Sequence, residues 1–230
     1  PAPPPEHAAW LAGVDLAREA SRRRLALSAS GLEGTEPDIA LPTTTDDDVL
    51  QTTAGLAKGQ RDVELPPWSK GRYGTAVGRA VHGVLQVVDL SSGAGLDDAV
   101  RAQCVSEGVL SYFDVVAALA RSALASRPVR SAAARRHWRE SYVGAERSDG
   151  VLVEGFVDLI YQDDDGSLVV IDYKTDAVPE AALVARTEFY APQLRAYLDS
   201  LRLATGQTKV RGELLFLRPE SATAVPVSSP

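Results

Sequence analysis

Apolar residues recur along this chain with two periods, and the changes from one to the other divide it into elements. Helical spacing is predicted from Trp10 to Leu27, where Leu11, Val14, Leu16, Ala17 and Ala20 precede the basic run Arg22-Arg23-Arg24. Gly, Pro, Ser and Thr make Ser28 to Thr45 a loop, Thr45 or Asp46 is placed to cap a short helix through Leu56, and Gly59 to Gly74 reads as a connector. Helical spacing returns from Thr75 to Leu90, on Val77, Val81, Val84, Leu85 and Val88, and from Ala99 to Ser126, where Pro128 is expected to stop it. A period of two follows in Arg139 to Ala145, Val151 to Tyr161 and Leu168 to Tyr173, which predicts a three-stranded meander. Glu180 to Leu203 is again helical and ends at Gly206, and Lys209 to Pro219 is a last strand. The sum is an α/β fold, a small mixed sheet flanked by helices.

Against this pattern the charged positions in Gly150 to Thr175 stand out. Alternation puts Glu154, Phe156, Asp158 and Ile160 on one face of a strand, and Asp172 and Lys174 on one face of the next. Asp172 and Lys174 are then about 6–7 Å apart along the strand. They follow the apolar run Leu168-Val169-Val170-Ile171, where charge serves a site more often than a solvated face. If the hairpin register brings Asp158 beside Asp172, the oxygen-rich pocket suits Mg²⁺. Gly78, one turn before His82, leaves space over the imidazole that suits a ligand; the alternative is a core-edge histidine with a satisfied hydrogen bond.

Composition changes this picture little. The 230 residues are 45% hydrophobic and 24% charged, ordinary for a globular protein. The single cysteine, Cys104, excludes an internal disulfide and a thiolate metal cage, and suits a reducing cytoplasm. No apolar run is long enough to span a membrane, and the glycine-rich loop of P-loop NTPases is absent. A net charge of −7 argues against broad coating of nucleic acid. Arg127, Arg130, Arg135, Arg136 and Arg139, with His137 and Trp138 among them, are either a grip on a nucleic-acid backbone or a solvated face. The start at Pro1 and the lack of any methionine read as a piece of a longer polypeptide.

Four short motifs carry a resemblance: Gly78-x-x-x-His82, Gly155-Phe156-Val157-Asp158, Ile171-Asp172-Tyr173-Lys174-Thr175 and Gln193-x-x-x-Tyr197. In this order and spacing the chain resembles the PD-(D/E)xK nuclease superfamily, in particular the RecB-like nuclease domain at the C-terminus of bacterial UvrD/Rep-type helicase–nucleases. Val157 stands where the superfamily's name has proline.

The resemblance implies a restriction-endonuclease-like core over residues 71–220, with residues 1–70 as an extension or linker and 221–230 as a flexible tail. It implies that Asp158, Asp172, His82 and the Tyr173 carbonyl hold Mg²⁺ or Mn²⁺, and that Asp158, Asp172 and Lys174 are catalytic, Lys174 orienting the attacking water. Gln193, Tyr197 and Thr175 are implied at the substrate, Gln193 and Tyr197 either contacting DNA or supporting the site, with Glu154 and Gly78 as secondary candidates. The activity implied is hydrolysis of DNA phosphodiester bonds, single-stranded DNA being fed by a helicase motor during double-strand-break repair in the bacterial cytoplasm, with no membrane partner. Two alternatives stay open: a catalytically idle module that binds DNA or holds a partner protein, and a restriction-type or junction-resolving endonuclease on duplex or branched DNA.

Overall fold

A computed structural model describes residues 6–21, 26–34, 75–176 and 178–228. In chain order these form α1 (His7–Ser21), β1 (Ala26–Ser28), α2 (Ala76–Val87), α3 (Leu96–Ser106), α4 (Phe113–Ala125), α5 (Arg127–Ala133), β2 (His137–Glu146), β3 (Leu152–Gln162), β4 (Leu168–Lys174), α6 (Leu183–Thr205), β5 (Val210–Leu217) and β6 (Ala222–Val227). The predicted short helix through Leu56, the Gly59–Gly74 connector and Arg22-Arg23-Arg24 lie outside the described residues.

The predicted meander is the centre of a six-stranded sheet. β2 and β3 pair antiparallel from His137↔Tyr161 to Glu146↔Leu152. Their turn closes at Gly150, whose N–H reaches Arg147 O and whose φ of 77° suits glycine. β4 pairs antiparallel with β3 from Leu159↔Ile171 to Gln162↔Leu168, β5 pairs parallel with β4, and β6 pairs antiparallel with β5. β1 pairs parallel with β3 at Leu152–Glu154. Since β2 occupies one edge of β3, β1 and β4 share the other, and they leave residues 155–158 of that edge unpaired between them. Asp158 sits at this gap.

Each face of the sheet is covered by apolar packing. On one side Leu159, Tyr161, Val169, Ile171, Leu215 and Leu217 pack against α2 to α5. On the other Val157, Ile160, Val170, Leu214 and Phe216 pack against α6. Gly212 lets α6 approach closely, because a Cβ there would stand 3.0 Å from Leu194 Cδ1.

Several expected boundaries change. The single helix from Ala99 to Ser126 is two, α3 and α4, broken at Gly108 (φ 71°) and a 3₁₀ turn at Leu110–Tyr112. Pro128 does not merely stop a helix; Ser126 caps α5 by accepting from Val129 N, and proline fits the first turn, where no intrahelical donor is lost. The tail expected over 221–230 contains β6, because the exposed edge of β5 is completed by pairing it. Part of the expected N-terminal extension, β1, is likewise a strand of the sheet. Within α6, Pro192 is accommodated inside the helix, and Gly206 (φ 71°) ends it as expected.

The expected alternation also fails at one rung. Val157 and Ile160, an odd number of residues apart, both pack on the α6 side, and so do Val143 and Trp138 on the neighbouring strand. Both strands therefore switch faces between these positions, and Glu140, at φ 46°, lies within the switch. As a result Glu154 and Phe156 do not share a face with Ile160. They lie on the side away from α6, the side that carries α2.

Candidate metal and catalytic centre

The site forms where four elements meet at the gap in β3. α2 begins at Thr75, whose side chain accepts from Gly78 N, and it carries His82 one turn further on. Gly78 is not open to a ligand, contrary to the expectation from its spacing. A Cβ there would lie 2.9 Å from Thr175 Oγ1 and 3.0 Å from Thr75 Oγ1, so the glycine lets α2 press against the end of β4. This close approach brings His82 Nδ1 within 3.0 Å of Asp158 Oδ1. The His82 ring also stands edge-on to Tyr173, with centroids 5.8 Å apart.

Asp158 is held from the other side by the backbone. Tyr173 N donates to Asp158 Oδ2 at 2.7 Å, and the β3–β4 register, extended by one position, sets Asp158 beside Asp172. The two predicted acids are thus neighbours. Asp172 Oδ2 lies 2.8 Å from Lys174 Nζ, an ion pair between a buried carboxylate and a largely covered ammonium. Although charge-compensated, this buried oxygen accepts no hydrogen bond of good geometry.

Lys174 is fixed by three contacts: Asp172, Gln193 Oε1 at 2.8 Å, and the face of Tyr190, 4.2 Å from Nζ to the ring centroid. Gln193 Nε2 in turn donates to Tyr197 Oη at 3.4 Å. Gln193 and Tyr197 are 6% and 3% exposed. Of the two roles expected for them, contact with DNA or support of the site, the geometry here is that of support: they stand buried behind Lys174. Gly155 provides the room, because a Cβ there would come within 2.8 Å of Tyr197 Cε1. Thr175, also expected at the substrate, packs toward Gly78, and Glu154 accepts from Tyr142 Oη at 2.7 Å.

One acid not foreseen joins the centre. Glu140 falls between the paired rungs Arg139↔Leu159 and Ser141↔Val157, directly across from Asp158. Ligand atoms of His82, Glu140 and Asp158 all lie within 4.8 Å of one another. Asp172, expected as a ligand, is not one of that group; its Oδ2 lies beside Lys174. Counting back from the Arg147–Gly150 turn along the two strands reaches Glu140 opposite Asp158, a match that needs the observed turn and register. Two arginines of the basic stretch around it are used internally. Arg139 donates to the carbonyls of Leu85 and Val88 at the end of α2, and Arg135 pairs with Asp163 and Asp164.

Electrostatics follow from packing this many charges together. Burial alone would lower the pKa of His82, but Asp158, bonded to it, and the other acids raise it to about 9. Burial opposes ionisation of Asp158; His82, the Tyr173 N–H and Lys174 outweigh it and hold Asp158 below its ordinary range. Glu140 is pushed up to about 7 by burial and by Asp158, and Asp172 to about 6 by burial and by Asp158, with Lys174 opposing. For Lys174 burial is overcome by Asp172, and the ammonium is held more firmly than usual.

These residues fit a hard divalent cation. Two carboxylates and an imidazole converge, and a further carboxylate oxygen, Asp172 Oδ2, is buried without a hydrogen bond. Carboxylate donors of this kind suit Mg²⁺ or Mn²⁺.

Comparisons with known proteins agree with this chemistry. The family model described as the PD-(D/E)XK nuclease superfamily matches residues 52–228. An ATP-dependent helicase/nuclease subunit from Desulforudis audaxviator (strain MP104C) is 30% identical over 169 residues, 65% of this chain and 14% of that protein. Its namesake from Thermoanaerobacter sp. (strain X514) is 37% identical over 67 residues, 29% of this chain and 5% of that protein. A third protein of that name, from Lachnoclostridium phytofermentans (strain ATCC 700394 / DSM 18823 / ISDg), is 36% identical over 63 residues, 27% of this chain and 4% of that protein. The chain thus spans at most about one seventh of these curated relatives. Among the described residues no helix is long and apolar enough to cross a membrane.

Proposed function

The chain belongs to the PD-(D/E)XK nuclease superfamily, and on that premise we propose that it is a divalent-metal-dependent deoxyribonuclease hydrolysing phosphodiester bonds. We take its substrate to be single-stranded DNA delivered by a helicase motor, in the same parent chain or a separate partner, during double-strand-break repair in the bacterial cytoplasm. The helicase/nuclease names of its relatives support that setting. The observation that carries the reading is the meeting of His82, Glu140 and Asp158 within 4.8 Å beside the Asp172–Lys174 ion pair.

In this reading Asp158, Glu140 and His82 hold Mg²⁺ or Mn²⁺, with Asp172 Oδ2 and the Tyr173 carbonyl alongside. Such an ion would supply Lewis acidity toward the phosphoryl oxygens and the attacking water. Lys174, its ammonium stabilised, acts as a cation and hydrogen-bond donor and not as a general base. It orients the water and offsets negative charge developing on the phosphoryl oxygens in the transition state. Gln193, Tyr190 and Tyr197 keep that ammonium in place.

Incubation of end-labelled single-stranded, duplex and branched DNA with Mg²⁺, Mn²⁺ or EDTA tests the proposal, with Asp172→Ala as control. Cleavage of the single strand that needs the metal and is lost in the variant is expected. No cleavage with either metal, and no effect of the substitution, identifies an idle binding module; preference for duplex or branched DNA identifies a restriction-type or junction-resolving enzyme.

A further inference from the structure

Beside the metal-holding group the sheet presents two large aromatic side chains to solvent. Tyr142 and Phe156 are cross-strand partners on β2 and β3, 57% and 56% exposed, with ring centroids 5.6 Å apart at an interplanar angle of 65°. Each is two residues along its strand from a member of the group, Tyr142 from Glu140 and Phe156 from Asp158, about 6–7 Å at strand rise. The face switch at Glu140 and Asp158 matters here. It puts Val143, Val153 and Val157 against α6, and so turns Tyr142 and Phe156 to the side from which His82 enters the site.

The pair is built, not merely left uncovered. Tyr142 leans along its strand over Gly144, where a Cβ would come within 2.8 Å of Tyr142 Oη, and its hydroxyl donates to Glu154 at 2.7 Å. A glycine beneath and a carboxylate at the tip thus fix the ring before any ligand arrives, which lowers the ordering cost of binding. The surroundings also select the ligand. Glu154, at the tip of Tyr142, disfavours a phosphate over the rings themselves and favours an uncharged aromatic group there.

We propose that Tyr142 and Phe156 are a stacking platform for a base of single-stranded DNA, next to the phosphate held at the metal group. The proposal rests on the nuclease reading above and adds the element that selects single strands: only an unpaired base has a free face to offer a side-chain ring. The base, seated on the aromatic pair, leaves its phosphodiester pointing toward Asp158 and Lys174.

Binding of the full chain to a fluorescein-labelled deoxythymidine oligonucleotide, read by anisotropy with Ca²⁺ in place of Mg²⁺ and with strand integrity checked on a gel, tests this independently of cleavage. Tyr142→Ala/Phe156→Ala is expected to weaken binding roughly tenfold or more, and Phe156→Trp to retain it. The parent chain is expected to bind an oligonucleotide of abasic sites as weakly as the double variant binds the intact one, a comparison that needs no variant to fold. Equal binding of abasic and intact strands by the parent, or no binding of either, overturns the platform. So does a parent that sediments as a dimer when the folded double variant is a monomer with unchanged DNA binding, which makes the pair a contact between copies. A chain that binds through the pair and never cuts keeps the platform and loses the nuclease reading; one that cuts single strands with equal KM in parent and double variant keeps the nuclease and loses the platform.

Discussion

Glu140 stands directly across the β2–β3 ladder from Asp158, on a backbone φ of 46° that a side-chain-bearing residue adopts at a cost of about 1–2 kcal/mol. The rung where the strand geometry is least comfortable is the rung that completes the candidate metal-holding group.

The charge at this rung sets a pH dependence. Glu140, raised from 4.5 to about 7, favours its neutral form in the folded protein, so its contribution to stability is present below about 4.5 and is lost as pH rises through about 7. Glu140→Gln mimics the neutral form. We expect it to raise Tm over the parent at pH 8 and to leave Tm near the parent's at pH 5, roughly 2–4 °C for each kcal/mol of repulsion relieved. The same substitution is expected to weaken Mn²⁺ binding at least ~10-fold, because a charged ligand becomes neutral. Calorimetric melts at the two pH values and a Mn²⁺ titration check both.

His82 links metal binding to pH in the opposite sense. Its imidazolium is stable up to about 9 when no metal is bound, and the stability it adds is present below about 6.5 and lost as pH rises through about 9. A metal ligand must be neutral, so binding Mn²⁺ expels that proton. Between pH 8 and 9, where Glu140 is already ionised, the apparent affinity is expected to rise with pH by up to tenfold per unit, with release of at most one proton per ion. Titration calorimetry in buffers of different ionisation enthalpy measures the release, and His82→Asn should abolish it.

Lys174 and Asp172 are buried together, and removing one leaves the other uncompensated. Lys174→Met is expected to cost about 3–5 kcal/mol at pH 8, where Asp172 is ionised. The loss should be much smaller at pH 5, because Asp172, already raised to about 6, escapes by taking a proton. Adding Asp172→Asn should recover most of the stability and none of the activity, the activity lost on removing the lysine being roughly 10²–10³-fold in kcat. Urea unfolding at the two pH values and single-turnover cleavage separate these effects.

Two glycines predict contrasting outcomes. Gly155→Ala drives a Cβ to 2.8 Å from Tyr197 Cε1, inside the core. It is expected to cost about 1–3 kcal/mol and, by shifting Tyr197 and Gln193, to lower cleavage as well. Gly144→Ala meets the hydroxyl end of exposed Tyr142 at the same distance. That ring can swing out to solvent, so stability should change by less than about 0.5 kcal/mol. Thermal melts of both variants make the comparison.

Much of the sheet was legible because its strands are marked by dense apolar alternation and by turns such as Arg147–Gly150 and Asp163–Gly166. Errors fell where pairing, not composition, decides the element. Ala222–Val227 and Ala26–Ser28 have little strand signal of their own, and they become strands because β5 and β3 offer them an edge. The break between α3 and α4 depends on the φ of one glycine, Gly108, which a continuous helical pattern conceals.

What the sequence determined by itself is the chemical inventory: Asp158 and Asp172 on neighbouring strands, Lys174 two residues beyond, His82 on an upstream helix, and Gln193 and Tyr197 one turn apart on a downstream one. These follow from local periodicity, which the chain carries residue by residue. Tertiary structure alone decided how the inventory is shared out. Glu140 joined the candidate metal-holding group because cross-strand register places it beside Asp158, and Asp172 turned to Lys174 because two opposite charges removed from solvent compensate each other best in contact. Gln193 and Tyr197 became a support because α6 packs over the sheet and excludes them from solvent. Period and spacing are local properties. Burial, register and charge pairing depend on parts of the chain far apart in sequence, and they exist only once those parts have met.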